Sequence, residues 1–137
     1  MVVGHDGDFD YAKLTALSRA VRGGAAFVAV NRDPRLPVEG GEFFPGCGAM
    51  VEAVAVVAGV QAEVVGKPQP YAFRVALDRL ALSPESVVMV GDSPISDIRG
   101  AQGVGLKTIW LAPADANADA IHPDLTIRSF AELVSRL

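Results

Sequence analysis

The residues best placed to do chemistry follow one short apolar run. Val87-Val88-Met89-Val90 leads directly into Gly91-Asp92-Ser93-Pro94-Ile95-Ser96-Asp97. A short, unbroken apolar run suits a parallel strand buried on both faces. Gly91 ends that strand and lets the backbone turn without a Cβ clash. Asp92 then projects from the strand's carboxyl edge, where open α/β sheets bind their ligands. Ser96 is expected to cap a helix that begins near Asp97, which folds Asp97 back beside Asp92. Two carboxylates converging at a strand end suit a hard divalent cation such as Mg²⁺. The same two residues also read as an ordinary turn and a favourable partner for a helix dipole. A second signal lies one predicted helix upstream, where Gly66-Lys67-Pro68 closes another apolar run, Val64-Val65. Gly and Pro fix a tight turn there, and Lys67 beside two carboxylates balances charge when a phosphate arrives. Lys67 also reads as a solvated loop lysine, as most lysines are.

The elements that must position these residues alternate strand and helix. Val2-Val3 is a strand stub ending at Gly4, followed by the acidic turn His5-Asp6-Gly7-Asp8-Phe9-Asp10. Asp10 caps a predicted helix from Tyr11 to about Arg22, with Leu14, Leu17 and Val21 on one face and Gly23-Gly24 as its stop. Ala25 to Val30 reads as a buried strand ending at Asn31. Arg32 to Gly48, rich in Pro and Gly, reads as a long irregular loop of the kind that is usually functional or mobile. A helix from about Gly48 to Ala58 presents Met50, Val54 and Val57. Ala62 to Val65 is the strand leading to Lys67. Pro70 opens the next helix, with Phe73, Ala76, Leu77 and Leu80 at helical spacing. Strands follow at Leu106 to Leu111 and Leu125 to Ile127, with a surface loop from Ala112 to Asp124 between them. Ser129 to Glu132 forms a capping box for a last helix that buries Phe130, Leu133, Val134 and Leu137. This alternation is that of an α/β chain with a mostly parallel sheet.

Composition narrows the function classes. A chain of 137 residues, half of them apolar, can bury a sizeable core. A net charge of −4 without basic clusters argues against a nucleic-acid partner. The single Cys47 excludes an internal disulfide and fits a reducing cytoplasm. No basic leader region opens the chain. The longest apolar stretch, Ala49 to Val60, is short and broken by Glu52, so no membrane span is expected. His5 and His122 lack metal-ligand spacing, and Cys47 has no visible base.

Together, Val65-Gly66-Lys67-Pro68 and Gly91-Asp92-Ser93-Pro94-Ile95-Ser96-Asp97-Ile98 resemble the third and fourth motifs of the haloacid dehalogenase (HAD) superfamily of phosphatases, in order, spacing and intervening helix. The details are most similar to the branch typified by NagD and the p-nitrophenylphosphatases, in which an α/β cap is inserted in the core. The resemblance implies a Rossmann-like three-layer α/β/α fold, here incomplete. Residues 1–60 would be the latter part of the cap and residues 61–137 the second half of the catalytic core, with a boundary near Gly59 to Glu63. It implies Mg²⁺-dependent hydrolysis of small phosphorylated metabolites through an aspartyl-phosphate. Lys67 would hold the phosphoryl group, Asp92 would ligate Mg²⁺, and Asp97 would ligate it directly or through water. Asn31, Asp33 and the Pro45 to Gly48 turn would lie near the substrate.

The family's first motif, a strand ending in Asp-x-Asp-Gly, and its second, a strand ending in Ser or Thr, have no unambiguous counterpart here. The chain therefore reads as truncated and weak or inactive alone. Asp6-Gly7-Asp8 has the Asp-x-Asp spacing, with Asp6 as nucleophile and Asp8 as acid/base, but Phe9 replaces the Gly that should follow. The alternative is an acidic loop of the cap. Three readings stay open: a fragment of a phosphomonoesterase completed by an N-terminal segment, a non-catalytic binding or assembly module that covers its exposed edge by dimerisation, and a minimal phosphatase using Asp6. Arg32 and Arg35 could meet an anionic substrate or stand as solvated loop residues.

Overall fold

The computed structural model describes residues 1–113 and 122–136. The chain divides into two compact units, Met1–Gly66 and Lys67–Leu137. In the first, β1 (Val2–Val3), β2 (Val28–Ala29) and β5 (Glu63–Val64) form a parallel sheet in the order β1-β2-β5. Val2 lies opposite Val28, and Val28 opposite Glu63. Parallel neighbours need long crossovers, and α1 (Tyr11–Arg22) and α2 (Cys47–Ala58) provide them. The ladder continues past the strand ends, with Glu63 N–H donating to Phe27 O at 2.9 Å and Val65 N–H to Ala29 O at 3.1 Å. The strand that leads to Lys67 is thus built on β2, and the first compact unit runs to Gly66.

The core of this unit follows from its helices. Asp10 caps α1, its Oδ1 accepting from Lys13 N–H at 2.7 Å. Val21 is buried, with Leu14 and Leu17 packed against the same cluster as Val3, Phe27 and Ala29. On α2 the buried residues include Met50, Val51, Val54, Ala55 and Ala58. Val57, expected on that face, is 51% exposed. The stripe runs 51, 54, 55, 58, the i, i+3, i+4, i+7 pattern of one helix face, and Val57 falls beside it.

The segment expected to be an irregular loop contains a hairpin. β3 (Arg35–Pro37) pairs antiparallel with β4 (Phe43–Pro45), Leu36 facing Phe44. Gly40 and Gly41, at φ 76° and 78°, supply the positive φ that its turn requires. Its prolines obscured it in the sequence. A two-stranded ribbon is all edge, and an edge is where a sheet tolerates proline.

In the second unit, β6 (Val88–Gly91), β7 (Lys107–Leu111) and β8 (Leu125–Ile127) form a parallel sheet in that order. The helices are α3 (Pro70–Leu80), α4 (Gly100–Gln102) and α5 (Phe130–Val134), with a π-type turn at Pro94–Arg99 running into α4. Phe73, Ala101 and Leu106 are buried together, with Leu77, Val87 and Met89 against them. A strand buried on both faces was expected for β6. Instead Val88 is 49% exposed, because side chains alternate across a strand and this unit covers the face that carries Val87 and Met89. On α3, Ala76 and Leu80 are exposed as well.

The last helix also differs from expectation. Ser129 Oγ accepts from Glu132 N–H at 3.2 Å, but the Glu132 carboxylate takes Arg128 N–H, at 2.8 Å, and not that of Ser129. Phe130 is 61% exposed and α5 buries no residue. Most of the expected surface loop from Ala112 to Asp124, and Leu137, lie outside the described residues. The architecture is mixed α/β with mostly parallel sheets. No helix among the described residues is long and apolar enough to cross a membrane.

A buried threonine ties β7 to the start of β8. Thr108, fully buried, gives its N–H and its hydroxyl to Asp124 Oδ2 at 2.9 and 3.0 Å. Those bonds, with Lys107 nearby, hold the Asp124 carboxyl below its ordinary range. A carboxyl with a lowered folded-state pKa contributes stability above its unfolded pKa and loses it as pH falls through the folded value. Acid titration of stability is therefore expected to show a loss of stability below the ordinary carboxylate range that is shallower in Asp124→Asn, a variant less stable than the parent at neutral pH. Denaturant midpoints measured across that pH range check it.

Candidate active site

Asp97 is the centre of the site in the second unit. It lies on the π-type turn, where both Asp97 N–H and Ile98 N–H reach Ser93 O, at 3.1 and 3.2 Å. Such turns are frequent at functional sites. Asp97 is 4% exposed, and a buried carboxylate needs partners. Its Oδ1 faces Lys67 Nζ at 2.5 Å, and its Oδ2 accepts from Ser93 N–H at 3.1 Å. Lys67 heads the unit, and its peptide bond to Pro68 is cis. Gly100 lets the turn close on this segment, since a Cβ there would lie 2.8 Å from the Phe73 ring and 3.0 Å from Pro68 Cα.

Gly91 and Ser93 act differently from the sequence reading. A Cβ on Gly91 would sit 2.5 Å from Asp97 Cβ and Cγ. The glycine is required by close approach of the Asp97 side chain, not by the turn. The cap of the following helix is Ser93, whose Oγ accepts from Ser96 N–H at 3.2 Å; Ser96, the expected cap, is the donor. The helix starts at Pro94, three residues earlier than expected, which is what places Asp97 within its first turns, beside the strand end. Asp92 is exposed, and among the described residues no ion pair to its carboxylate is found. Its carbonyl oxygen accepts from the Trp110 indole Nε1–H at 3.0 Å. Sequence reasoning passed over Trp110. No local signal marks it, and only the parallel pairing of β6 with β7, which puts Trp110 opposite Gly91, brings it to the strand end.

The remaining candidates lie in the first unit. Asn31 Oδ1 takes Asp33 N–H at 3.4 Å. The Pro45 to Gly48 turn lies directly on this stretch, with Gly46 N–H on Pro34 O at 3.0 Å and Gly48 N–H on Asp33 O at 2.9 Å. A Cβ on Gly48 would lie 2.8 Å from Arg32 C, so only glycine fits. Arg32 is ion-paired with Glu52 and bonded to Gln61 at 3.3 Å, and Arg35 sits 4.6 Å over the Phe43 ring. Asp6 is engaged locally. Its Oδ1 accepts from Asp8 N–H at 2.9 Å and its Oδ2 pairs with Lys13 at 2.8 Å, which holds its carboxyl below the usual range. Lys13 also donates to Asp8 O at 3.1 Å. Buried Cys47 points its thiol at Val3 O, 3.6 Å away, a packing position.

A family model described as HAD-hydrolase-like matches residues 64–133. The chain belongs to the HAD superfamily, in its NagD-like branch. It is 42% identical over 109 residues to an acid sugar phosphatase of Staphylococcus epidermidis, covering 80% of this chain and 42% of that protein. Over 110 residues it is 43% identical to a human glycerol-3-phosphate phosphatase, covering 80% and 34%. It therefore spans less than half the length of either relative. Among solved structures, a p-nitrophenyl phosphatase from Archaeoglobus fulgidus superposes with a TM-score of 0.89 at 28% identity, covering 99% of this chain and 56% of that one. NagD from Escherichia coli gives 0.83 at 29%, covering 96% and 53%. A glycerol phosphate phosphatase from Mycobacterium tuberculosis in complex with magnesium gives 0.73 at 36%, covering 80% and 32%.

The family implies a divalent cation, and the donors present fit one in kind. Asp92 and Asp97 offer oxygen only, and Mg²⁺ is commonly held by one or two carboxylates, with waters and phosphate oxygens completing its shell. No group of three or more His, Cys, Asp or Glu side chains among the described residues could hold a metal by itself.

The contact between Gly91 and Asp97 is directly testable. Gly91→Ala forces the buried carboxylate away from the strand end, and overpacking of this kind costs about 1–3 kcal/mol. Trp110 is the protein's one tryptophan and lies in the same sheet, so urea unfolding followed by its fluorescence is expected to show that loss. An unchanged midpoint would contradict the geometry.

Proposed function

We propose that this chain supplies the lysine and metal-carboxylate side of a Mg²⁺-dependent phosphomonoester hydrolase acting on small phosphorylated metabolites. The carrying observation is the Lys67–Asp97 pair at 2.5 Å, with Asp92 standing one residue before Ser93, whose N–H bonds Asp97, and its carboxylate in no ion pair among the described residues. The relatives' names, acid sugar phosphatase and glycerol-3-phosphate phosphatase, support the reaction class. The magnesium in the mycobacterial structure supports the cofactor.

In this reading Lys67 binds the phosphoryl oxygens, while Asp97 holds the ammonium in place. Asp92 and Asp97 would hold Mg²⁺. The ion, when bound, offsets negative charge on the phosphoryl group. The second unit would be part of the catalytic core. The first would be part of a cap, with Asn31, Asp33 and the Pro45 to Gly48 turn near the substrate. The sequence contains no Asp-x-Asp-Gly, so turnover is proposed to require a segment that carries one. Asp6 is less suited to the nucleophile's role, because both its oxygens are engaged by Asp8 N–H and Lys13. The single, unpaired Cys47 supports a cytoplasmic setting.

A second reading, a binding or assembly module, is favoured by one observation: β6 is an edge strand of its sheet with Val88 half exposed. Unpaired edges invite pairing with another strand, from a second copy or a complementing N-terminal segment.

Hydrolysis of an aryl phosphate tests the first reading. The purified chain alone is expected to show little turnover above an Asp92→Asn background. With a polypeptide supplying the family's Asp-x-Asp-Gly strand, turnover is expected that chelator or Asp92→Asn removes. Turnover indifferent to both would overturn the proposal. Activity of the lone chain that Asp6→Asn abolishes would move the nucleophile to Asp6.

A further inference from the structure

The peptide unit between Asp92 and Ser93 is held at both ends. Its carbonyl oxygen accepts from the Trp110 indole Nε1–H at 3.0 Å, and its N–H donates to Asp97 Oδ2 at 3.1 Å. A peptide unit is planar, so a bond at each end fixes the orientation of the whole plane. That plane contains the Asp92 Cα and fixes the Cα–C bond at the root of the side chain, although Asp92 itself is exposed and lies beyond the end of β6. Both holding groups are themselves held by their surroundings. Asp97 is pinned by Lys67, and Trp110, 3% exposed, packs against Ile98 and Ala112 from the neighbouring strand β7. Ile98 adjoins Asp97 in the chain, so the same ring braces both the carboxylate and the peptide it grips.

We infer that Trp110 is a positioning residue for the Asp92 carboxylate, acting through the Asp92–Ser93 peptide plane. The inference rests on the reading of Asp92 as a Mg²⁺ ligand. An exposed carboxylate that swings freely loses rotamer freedom when it takes up a cation. One whose backbone is already fixed loses less, and preorganised ligands bind more tightly for that reason. A buried indole N–H also seeks an acceptor for its own sake, so the test must separate metal affinity from stability.

The measurement is a Mg²⁺ titration of the isotopically labelled chain, read at the amides of Asp92, Ser93 and Asp97 by NMR. Trp110→Phe keeps an aromatic ring and removes the donor. It is expected to weaken Mg²⁺ about three- to tenfold, the size of one lost hydrogen bond, and to speed exchange of Ser93 N–H. Ile127→Val, a buried change on β8 that touches neither end of the peptide, is expected to leave Mg²⁺ affinity as it was. Equal affinity in Trp110→Phe and the parent would overturn the inference and leave the proposed function standing. A parent chain whose residues 92 and 97 do not respond to Mg²⁺ would overturn both. If Trp110→Phe does not fold, the parent's indole Nε1–H resonance decides: it is expected to move with the Asp92 amide at the same midpoint, and an indole that stays still would overturn the role.

Discussion

The second unit depends on how one buried carboxylate is satisfied. Taking Asp97 out of water is costly unless its charge is matched and its oxygens are bonded. Lys67 matches the charge from one side, and Ser93 N–H takes the other oxygen. Several sequence features follow from that requirement. Gly91 has no side chain because Asp97 occupies the space. Gly100 has none because the turn bearing Asp97 must close on Phe73 and Pro68. The helix begins with a π-type turn capped by Ser93, which brings Asp97 round to the strand end. Breaking the pair from the lysine side would leave a buried charge unmatched, the costly direction for such pairs.

The first unit is organised by backbone approach more than by charge. The Pro45 to Gly48 turn lies on Asp33 and Pro34 through two main-chain bonds, and its glycines admit that contact. The Asn31 to Asp33 stretch thereby has its backbone fixed at the end of β2. Arg32 is drawn to Glu52 and Gln61, so its ion pair serves the packing of this unit. Asp6 and Lys13 fasten the loop that enters α1, and the Asp6 carboxyl is lowered by that lysine.

Much of this was legible in the sequence because it is local. Asp10 and Ser129 announce their helices by type and position, and Lys67, Asp92 and Asp97 stand out because Gly and Pro bracket them. Features that depend on tertiary context were not legible. The β3–β4 hairpin is hidden by Pro37 and Pro45, which only a two-edged ribbon accommodates. Phe130 and Val57 have apolar side chains, but no neighbour among the described residues buries them. Ser96 and Ser93 both suit a cap, and only the path of the chain decides between them. Trp110 is far from Asp92 in sequence, so its bond to the Asp92 carbonyl appears only once the strands are paired.

The most direct test of this account is calorimetric titration of inorganic phosphate into the 137-residue chain, with and without Mg²⁺, beside the same titration of Lys67→Met. If Lys67 is the phosphate-binding cation and Asp92 and Asp97 the metal ligands, phosphate binds saturably only with Mg²⁺. Lys67→Met then weakens it by about tenfold or more, as expected for one charged hydrogen bond. Phosphate binding that is the same without Mg²⁺, or the same in Lys67→Met, would contradict the account.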